Sequence, residues 1–579
     1  MNKIWKINEK PPKEFFEQFP EYSRLTIQLL WDRNLKTQKA IDEFFNPDYD
    51  EDLHDPFLMK GMGEVVKRIK KALANKEKIT IFGDYDADGV CGTAILVETI
   101  KALGTEPSIY IPDRDKEGYG LNLKAVKEVA SRGTKLIITI DCGITDFEEI
   151  ELANSLGVDV VIVDHHEAPE KVPNAVAFID PRQKTEKYPF RELAAGGVAF
   201  KLAQALTKLK VKSQKLKVAD GWEKWLLDLA AIATVADSMP IIGENRTIVK
   251  YGLVVLAQTK RIGLRELMKI ARIEPVVDLK LLLTNLDTYT IGFIIGPRLN
   301  AAGRMGHANT TYELLTTSDP KEAESLAKKI NDKNQERQRL TDKILKEIET
   351  KMDIEKEKII FEGSKDWPIG IVGLIAGRLR DKYFRPAIIF QKTEAIIRGS
   401  VRSIDSFNII EAMSECKELF ENFGGHPGAA GFTISNNNLI KFKEKIVAIA
   451  NKKIKENDLI PELKIDIEME PKELNFNVFD ELRDFAPFGE SNEAPLFLMR
   501  GFKVLEVKIV GNNGTHLKMR LEKDGEGGTK RIWAIGFGLA DFCANIKVGD
   551  KVDIVFELIA NEWNGTKELQ LKIMDLRKV

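Results

Sequence analysis

The sequence predicts an α/β multidomain protein. Its parts are a doubly wound parallel-sheet domain, a smaller α/β domain joined by a long helix, and a C-terminal β-barrel of the OB-fold kind. Three observations predict this. Apolar runs at 79–82, 136–140 and 158–163 alternate with helical segments at 90–102, 123–131 and 147–156, as buried parallel strands alternate with crossover helices. A stretch from about 320 to 352 is rich in Lys, Glu, Asn, Gln and Arg and has no internal Pro or Gly, as in a polar helix bridging domains. Beyond Pro461, short alternating segments at 502–510, 516–521, 531–537, 551–558 and 568–573 are separated by Asn-Gly and Asp-Gly turns.

Taken in order, residues 1–75 read as a polar N-terminal helical region punctuated by Pro11-Pro12 and Asn46-Pro47. Residues 76–318 form the first α/β domain, mostly helical over 190–290. Residues 319–353 are the connecting helix. Residues 354–457 form the second α/β domain, with strands near 358–361, 387–390 and 396–401. Residues 458–579 form the barrel. A length of 579 residues agrees, since about 100–200 residues per domain gives about three to five domains.

Composition narrows the class. Hydrophobic residues at 43% and charged residues at 30% exclude a mainly disordered chain. The four cysteines, Cys91, Cys142, Cys416 and Cys543, are scattered without a CxxC pair, which excludes a disulfide scaffold and a zinc ribbon and fits a reducing, cytoplasmic compartment. No apolar run approaches the roughly 20 residues that span a bilayer, so no membrane is expected. The N-terminal MNKIWKINEK has no apolar core of a signal peptide. A net charge of -2 gives no global basic signature, although a local basic groove remains compatible with it.

The chemistry lies where strands end. The first apolar run leads into Gly83-Asp84-Tyr85-Asp86-Ala87-Asp88-Gly89, the second into Asp141-Cys142-Gly143, the third into Asp164-His165-His166. Ligand sites of open parallel sheets lie at the carboxyl ends of strands. If these strands are neighbours, the carboxylates converge and repel, and divalent cations are the compensation. Mixed Asp and His donors without thiolate suit Mn²⁺ or Mg²⁺, with Zn²⁺ and Co²⁺ compatible. Asp237, closing the apolar stretch 230–236, completes the set, although alone before Ser-Met-Pro it also reads as a turn. Two competing readings are weaker. Asp84-x-Asp86-x-Asp88-Gly89 opens like an EF-hand loop, but the twelfth position is Ile95 and a strand precedes it. Helix N-caps explain one or two aspartates, not three clusters with a His-His pair.

These residues carry a resemblance. GDYDADG, DCG, DHH and the later Ala236-Asp237 resemble the four motifs of the DHH phosphoesterase family, and Gly424-Gly-His-Pro-Gly-Ala-Ala-Gly-Phe432 resembles the glycine-rich motif of the DHH-associated domain. The segments 297–304, 111–120 and 399–403 are similar to those of the RecJ exonucleases, and the resemblance covers roughly residues 50–579. It implies a metal-dependent 5′→3′ exonuclease that degrades single-stranded DNA to 5′-mononucleotides in repair and recombination. Asp84, Asp86, Asp141, His165 and Asp237 would hold two divalent cations, Mn²⁺ or Mg²⁺, with Asp141 as bridge. His166 would contact the phosphate, with His426 assisting, and Asp88 would act in or just behind the site. One departure stands out. Some members carry a histidine four residues before the first aspartate, where this chain has Thr80. The resemblance also implies single-strand-binding protein and a RecQ-type helicase as partners, and a monomer.

The same resemblance makes Arg114, Ser400 and Arg402 a 5′-phosphate pocket, and places Arg298, Asn300 and Arg304 along the DNA backbone. By residue type alone each arginine is more often a solvated surface charge. Gly425, in the glycine-rich run, can bring backbone N–H groups to a phosphate, or simply turn the chain into a strand at 430–434. Trp533, Phe537 and Trp563 are candidate stacking platforms of the OB-fold; the alternative place for at least two of them is the barrel core. Two other functions compete: another phosphoesterase of the family (pyrophosphatase, nano-RNase or cyclic-dinucleotide phosphodiesterase), whose members lack the OB-fold, and a non-catalytic relative with decayed motifs, which the intact acids and histidines disfavour.

Overall fold

The structure is a computed structural model and describes residues 3–208, 218–511, 513–526, 528–563 and 566–579. The chain divides into two units. The larger comprises Asp48–Leu459 with Gly489–Ser491; the smaller comprises Met1–Pro47, Ile460–Phe488 and Asn492–Val579. The expected N-terminal region 1–75 is therefore split near Pro47. The physical reason is long-range pairing: strand Ile4–Ile7 runs parallel to Glu462–Ile465, and Phe15, Phe19 and Leu29 share a core with Phe497, Phe502 and Phe556.

In the larger unit a five-stranded, all-parallel sheet has the order Ser108–Tyr110, Ile79–Gly83, Leu136–Ile140, Asp159–Val163, Ala177–Ile179. The three central strands are almost wholly buried, which is why they read as continuous apolar runs. Alternate residues feed two cores. Ile79, Ile81, Leu136, Ile138, Val161 and Val163 face one, with the helices Ala87–Ala102, Ala195–Lys208 and Leu227–Ala236. Phe82, Ile137, Val160 and Ile162 face the other, with Leu123–Ser131 and Phe147–Ser155. This two-sided burial is the doubly wound architecture.

The connecting helix is Pro320–Lys351, capped by Asp319, whose Oδ1 accepts from Lys321 N at 2.7 Å. It is not polar all round. Ala327 and Ile330 join the core of the first sheet; Ile344 and Ile348 join one beneath the second. Between them the buried stripe continues through Asn331, Asn334, Arg337 and Thr341. The stripe has helical spacing, but four of its ten buried members, all in the middle, are polar, so an apolar pattern is not visible in the sequence. The second sheet has the order Phe420–His426, Ala429–Ser435, Ile396–Arg402, Ala387–Lys392, Ile360–Ser364, and only its last pair is parallel.

The smaller unit is built on five long strands: Phe497–Val510, His516–Gly525, Gly528–Gly536, Lys551–Trp563 and Thr566–Lys578. Antiparallel pairing of the first with the fourth closes the barrel, and the third pairs in parallel with the fifth. Trp533 alternates with buried Ile532 and Ala534, so its ring lies on the outer surface rather than in the core. Phe537 is 57% exposed and meets His516 edge-on at 5.2 Å. The side chain of Trp563 lies outside the described residues.

Candidate active site

Each acid motif begins one residue beyond a strand and extends its ladder. The amides of Asp84, Asp141 and Asp164 donate to the carbonyls of Ile140, Val163 and Ile179, respectively, at 3.2, 3.0 and 3.1 Å. Three carboxylates are thus fixed in a row along the sheet edge. Asp141 sits at φ 62°, a left-handed conformation that Asp and Asn tolerate better than most side chains. The Ala87–Ala102 helix begins in the first motif. Asp86 is its N-cap, Oδ1 accepting from Asp88 N at 2.9 Å and Gly89 N at 3.1 Å. A Cβ on Gly89 would stand 2.8 Å from the Asp84 backbone oxygen, so only glycine lets this turn close on Asp84.

Three groups form, each with ligand atoms within 4.8 Å of one another: Asp84, Asp86 and Asp141; Asp88, His165 and Asp237; Asp141, His165 and His166. His165 Nε2 is 3.2 Å from Asp141 Oδ1 and 3.7 Å from oxygens of Asp88 and Asp237. Burial pushes the pKa of Asp84, Asp88 and Asp141 well above the usual carboxylate range, and repulsion from neighbouring carboxylates, Asp86 for all three, adds to it. Asp237 is pushed up to about 7 by burial and by Asp86. Burial, with His166 beside it, pushes His165 down to about 3, so its imidazole is neutral and able to ligate. The Oδ1 atoms of Asp84 and Asp141 are buried with no hydrogen-bond donor among the described residues. Crowded, unsatisfied carboxylates around a neutral imidazole, with no thiolate, fit hard divalent cations.

Asp88 is placed differently from its neighbours. Its oxygens accept from Ala195 N at 2.8 Å and Gly196 N at 2.6 Å, at the start of the Ala195–Lys208 helix. It braces the acid loop against that helix and shows one edge to His165. Thr80 is buried and bonded to the Thr134 hydroxyl at 2.7 Å, so the position where the resemblance leads one to expect a histidine offers no ligand here.

His166 is held from two sides. Its Nδ1 lies 2.8 Å from Asp164 Oδ1 and 3.3 Å from the Tyr119 hydroxyl, which itself donates to Asp141 O at 2.7 Å. Burial opposes its charge, but the Asp164 hydrogen bond prevails and pushes the imidazolium up to about 9. The sequence places Asp164 in the acid-histidine cluster and Tyr119 in the 111–120 segment without giving either a role, and it does not single out Asp180. Asp180 had a signal: it too ends a buried strand, Ala177–Ile179, and burial pushes it up to about 7. The role of Tyr119 depends on how its loop folds back onto His166.

A cationic cavity adjoins the acids. Arg114 lies over the Tyr85 ring at 5.2 Å, and Tyr85 stands between Asp84 and Asp86. With Arg304, Ser400 and Arg402 it lines a cavity of about 540 Å³. Arg402 Nη1 donates to Ser400 Oγ at 3.1 Å. Burial and the neighbouring Arg114, Arg337 and Arg402 push Arg304 down to about 10. The cavity therefore demands an anion as the acid cluster demands cations. Other predicted residues sit elsewhere. Arg298 donates to Asn331 Oδ1 at 3.2 Å and to Ile294 O at 2.7 Å, at the seam with the connecting helix. Asn300 Oδ1 accepts from Ala87 N at 2.7 Å and so anchors the acid loop. Gly425 has φ 144°, and a Cβ there would strike the Ala429 carbonyl at 2.3 Å, which makes it a hairpin residue. His426 is exposed at the end of its strand.

Comparison with known proteins identifies a family for the whole chain. Residues 78–234 match the DHH family, N-terminal domain; 356–456 match the DHHA1 domain; 465–575 match the RecJ OB domain. The single-stranded-DNA-specific exonuclease RecJ of Bacillus subtilis is 37% identical over 99% of this chain and 70% of its own length. That of Haemophilus influenzae is 29% identical over 99% of both. The crystal structure of RecJ in complex with Mn²⁺ from Thermus thermophilus superposes with a TM-score of 0.83 at 29% identity, covering 100% of this chain and 80% of that one. Its complex with Mg²⁺ gives 0.77 at 28%, covering 100% and 78%. In its motifs, its domain order and its whole-length similarity, the chain belongs to the RecJ family of DHH proteins.

Proposed function

We propose that the chain is a metal-dependent 5′→3′ exonuclease that degrades single-stranded DNA to 5′-mononucleotides in DNA repair and recombination. The observation that carries this reading is the adjacency, through Tyr85, of an acid cluster that needs cations and an arginine cavity that needs an anion. A terminal phosphate held by Arg114, Ser400 and Arg402 would bring the first phosphodiester of a strand to the acids. Polarity follows, because only the 5′ end carries a phosphate beyond its first nucleotide.

Asp84, Asp86, Asp141, His165 and Asp237 would hold two divalent cations, Mn²⁺ or Mg²⁺, the ions of the Thermus structures. Such ions, when bound, supply Lewis-acid charge to the phosphoryl group and make water a stronger nucleophile. The chain's own contribution is positional. Asp88 and Asn300 hold the acid loop. With Nδ1 of His166 anchored by Asp164, Nε2 is the atom left to meet a phosphoryl oxygen and offset its growing charge. His426 would serve the same phosphate from the second sheet.

By this reading residues 76–318 bind metal, 354–457 hold the strand end, and 458–579 hold the incoming strand. Trp533 supports the last role, with Lys508, Lys518 and Arg520 within 4.8–5.5 Å of its ring, a surface for bases and phosphates together. We also infer, from family membership, a monomeric cytoplasmic enzyme working with single-strand-binding protein and a RecQ-type helicase. Among the described residues no helix is long and apolar enough to cross a membrane. The test is digestion of 5′-labelled and 3′-labelled oligonucleotides with Mn²⁺ or Mg²⁺. Labelled mononucleotide should appear at once from the 5′ label and last from the 3′ label; the reverse order refutes the polarity.

A further inference from the structure

The cavity is larger than one phosphate requires. Arg398, Ser400 and Arg402 alternate along one strand, so their side chains share a face, about 6.8 Å from one to the next. The opposite face, with Ile397 and Val401, is core. Across the sheet the register sets three ranks on the open face: Arg402, Ala429 and His426; Ser400, Gly431 and Gly424; Arg398, Thr433 and Asn422. The middle rank is bare backbone beside Ser400. A Cβ on Gly424 would meet nothing within 4 Å, and one on Gly431 only Gly399 O at 3.9 Å. Two glycines thus keep a flat floor open between the inner and outer ranks.

The proposed terminal phosphate uses Arg402, Ser400 and Arg114. That leaves the outer rank, which lines the same cavity of about 540 Å³. Such a volume falls in the range of about 300–1,000 Å³ that holds small organic ligands rather than a lone oxyanion. The Arg398 guanidinium is exposed there, with no ion pair or side-chain hydrogen bond among the described residues. Asn422 and Thr433 add an amide and a hydroxyl beside it. A free fork of donors one rank beyond a phosphate site fits a further phosphate.

Resting on the 5′-phosphate reading above, we propose that the outer rank of Arg398, Asn422 and Thr433 is a subsite for the additional phosphates of a 5′-di- or triphosphate end. The enzyme then accepts single strands whose first nucleotide still carries a di- or triphosphate. The reaction is the ordinary one. Water adds to phosphorus between the first two nucleotides and the P–O3′ bond breaks. The 3′ oxygen leaves with a proton, and the shortened strand keeps a 5′-monophosphate. The first product is a nucleoside 5′-triphosphate and each later one a monophosphate.

The test uses the full chain with Mn²⁺ and one oligonucleotide carrying a 5′-hydroxyl, 5′-monophosphate or 5′-triphosphate, with products separated by anion exchange. The triphosphate strand should release nucleoside triphosphate first. Arg398→Ala should raise KM for that strand about tenfold, as loss of one charge-assisted hydrogen bond does, and leave KM for the monophosphate strand unchanged. Asn422→Ala should act in the same direction more weakly. Cleavage of monophosphate but not triphosphate strands overturns the inference alone. So does an equal effect of Arg398→Ala on all three ends, which makes the rank a contact for sugar or base. Cleavage of none of the three overturns the exonuclease reading and the inference with it.

Discussion

Replacing Arg402 with Ala isolates the recognition of the strand end. Its guanidinium is half-buried and spends Nη1 on Ser400 Oγ and Val401 O, at 3.1 and 2.9 Å. A hydrogen bond to a charged group contributes about 1.5–3 kcal/mol. At about 1.4 kcal/mol per factor of ten, that is roughly 10- to 150-fold. Arg114 and Arg304 remain in the cavity, so the low end applies. Arg402→Ala should therefore cut the kcat/KM preference for 5′-phosphorylated over 5′-hydroxyl strands by about tenfold. Arg402→Lys should fall between, since an ammonium keeps the charge and loses the fork. Stability should change little, because burial, with the like charges of Arg380 and Arg114, already depresses the pKa of Arg402. The assay is competitive digestion of the two strands in one tube, which cancels errors in enzyme concentration. An unchanged ratio refutes the assignment of the cavity and leaves the acid cluster untouched.

Asp141→Asn keeps a side chain suited to the left-handed backbone and removes a shared ligand. Hydrolysis should be lost while circular dichroism and the melting temperature without metal stay at or above those of the parent, and retained activity would contradict a bridging role. The acid cluster also sets a pH dependence. Asp237 is raised from 3.8 to about 7, so its protonated form stabilises the metal-free fold at low pH and that contribution is lost as pH rises through about 7. Bound cations replace those protons, so saturating Mn²⁺ should raise the melting temperature more at pH 8 than at pH 6; equal gains would refute the linkage. Trp533→Ala should weaken single-strand binding, read by fluorescence titration in Ca²⁺, by about 1–3 kcal/mol without lowering thermal stability. A chain of residues 48–459 should still release mononucleotides from short 5′-phosphorylated strands while binding long ones less tightly. Loss of hydrolysis in a folded chain of that length would move part of the site into the smaller unit.

What the sequence made legible was local or repeated. The strands ending at Gly83, Ile140 and Val163 are buried on both faces, so each is a short apolar run, and an acid following such a run is visible in one dimension. That the strands are neighbours was an inference from topology, and their adjacency brings Asp84, Asp141 and His165 together. Residues whose roles depend on register were out of reach. The alternation of Arg398, Ser400 and Arg402 is readable, but their alignment with Asn422 and His426 needs two cross-strand registers. Tyr119 reaches His166 from a loop, and Asp164 was overshadowed by the histidines it orients. Asn300 Oδ1 and Arg298 Nε also bond within the protein, to Ala87 N and Asn331 Oδ1, which only the packing of their helix reveals. The split at Pro47 rests on pairing between residues more than 450 apart, for which no local signal exists.

That pairing orders the making of the molecule. On a ribosome the first 47 residues emerge with Phe15, Phe19, Leu29 and Leu30 and have no core to enter, because the strands that bury them begin after residue 460. About 400 residues must be added in between, which at about 5–20 residues per second takes on the order of 20–80 s. The larger unit can assemble during that interval, while the N-terminal segment waits with the apolar faces of its helices uncovered. The catalytic half is then finished before the half that grips the strand, and a ribosome stalled between the two would leave a nuclease core without its barrel.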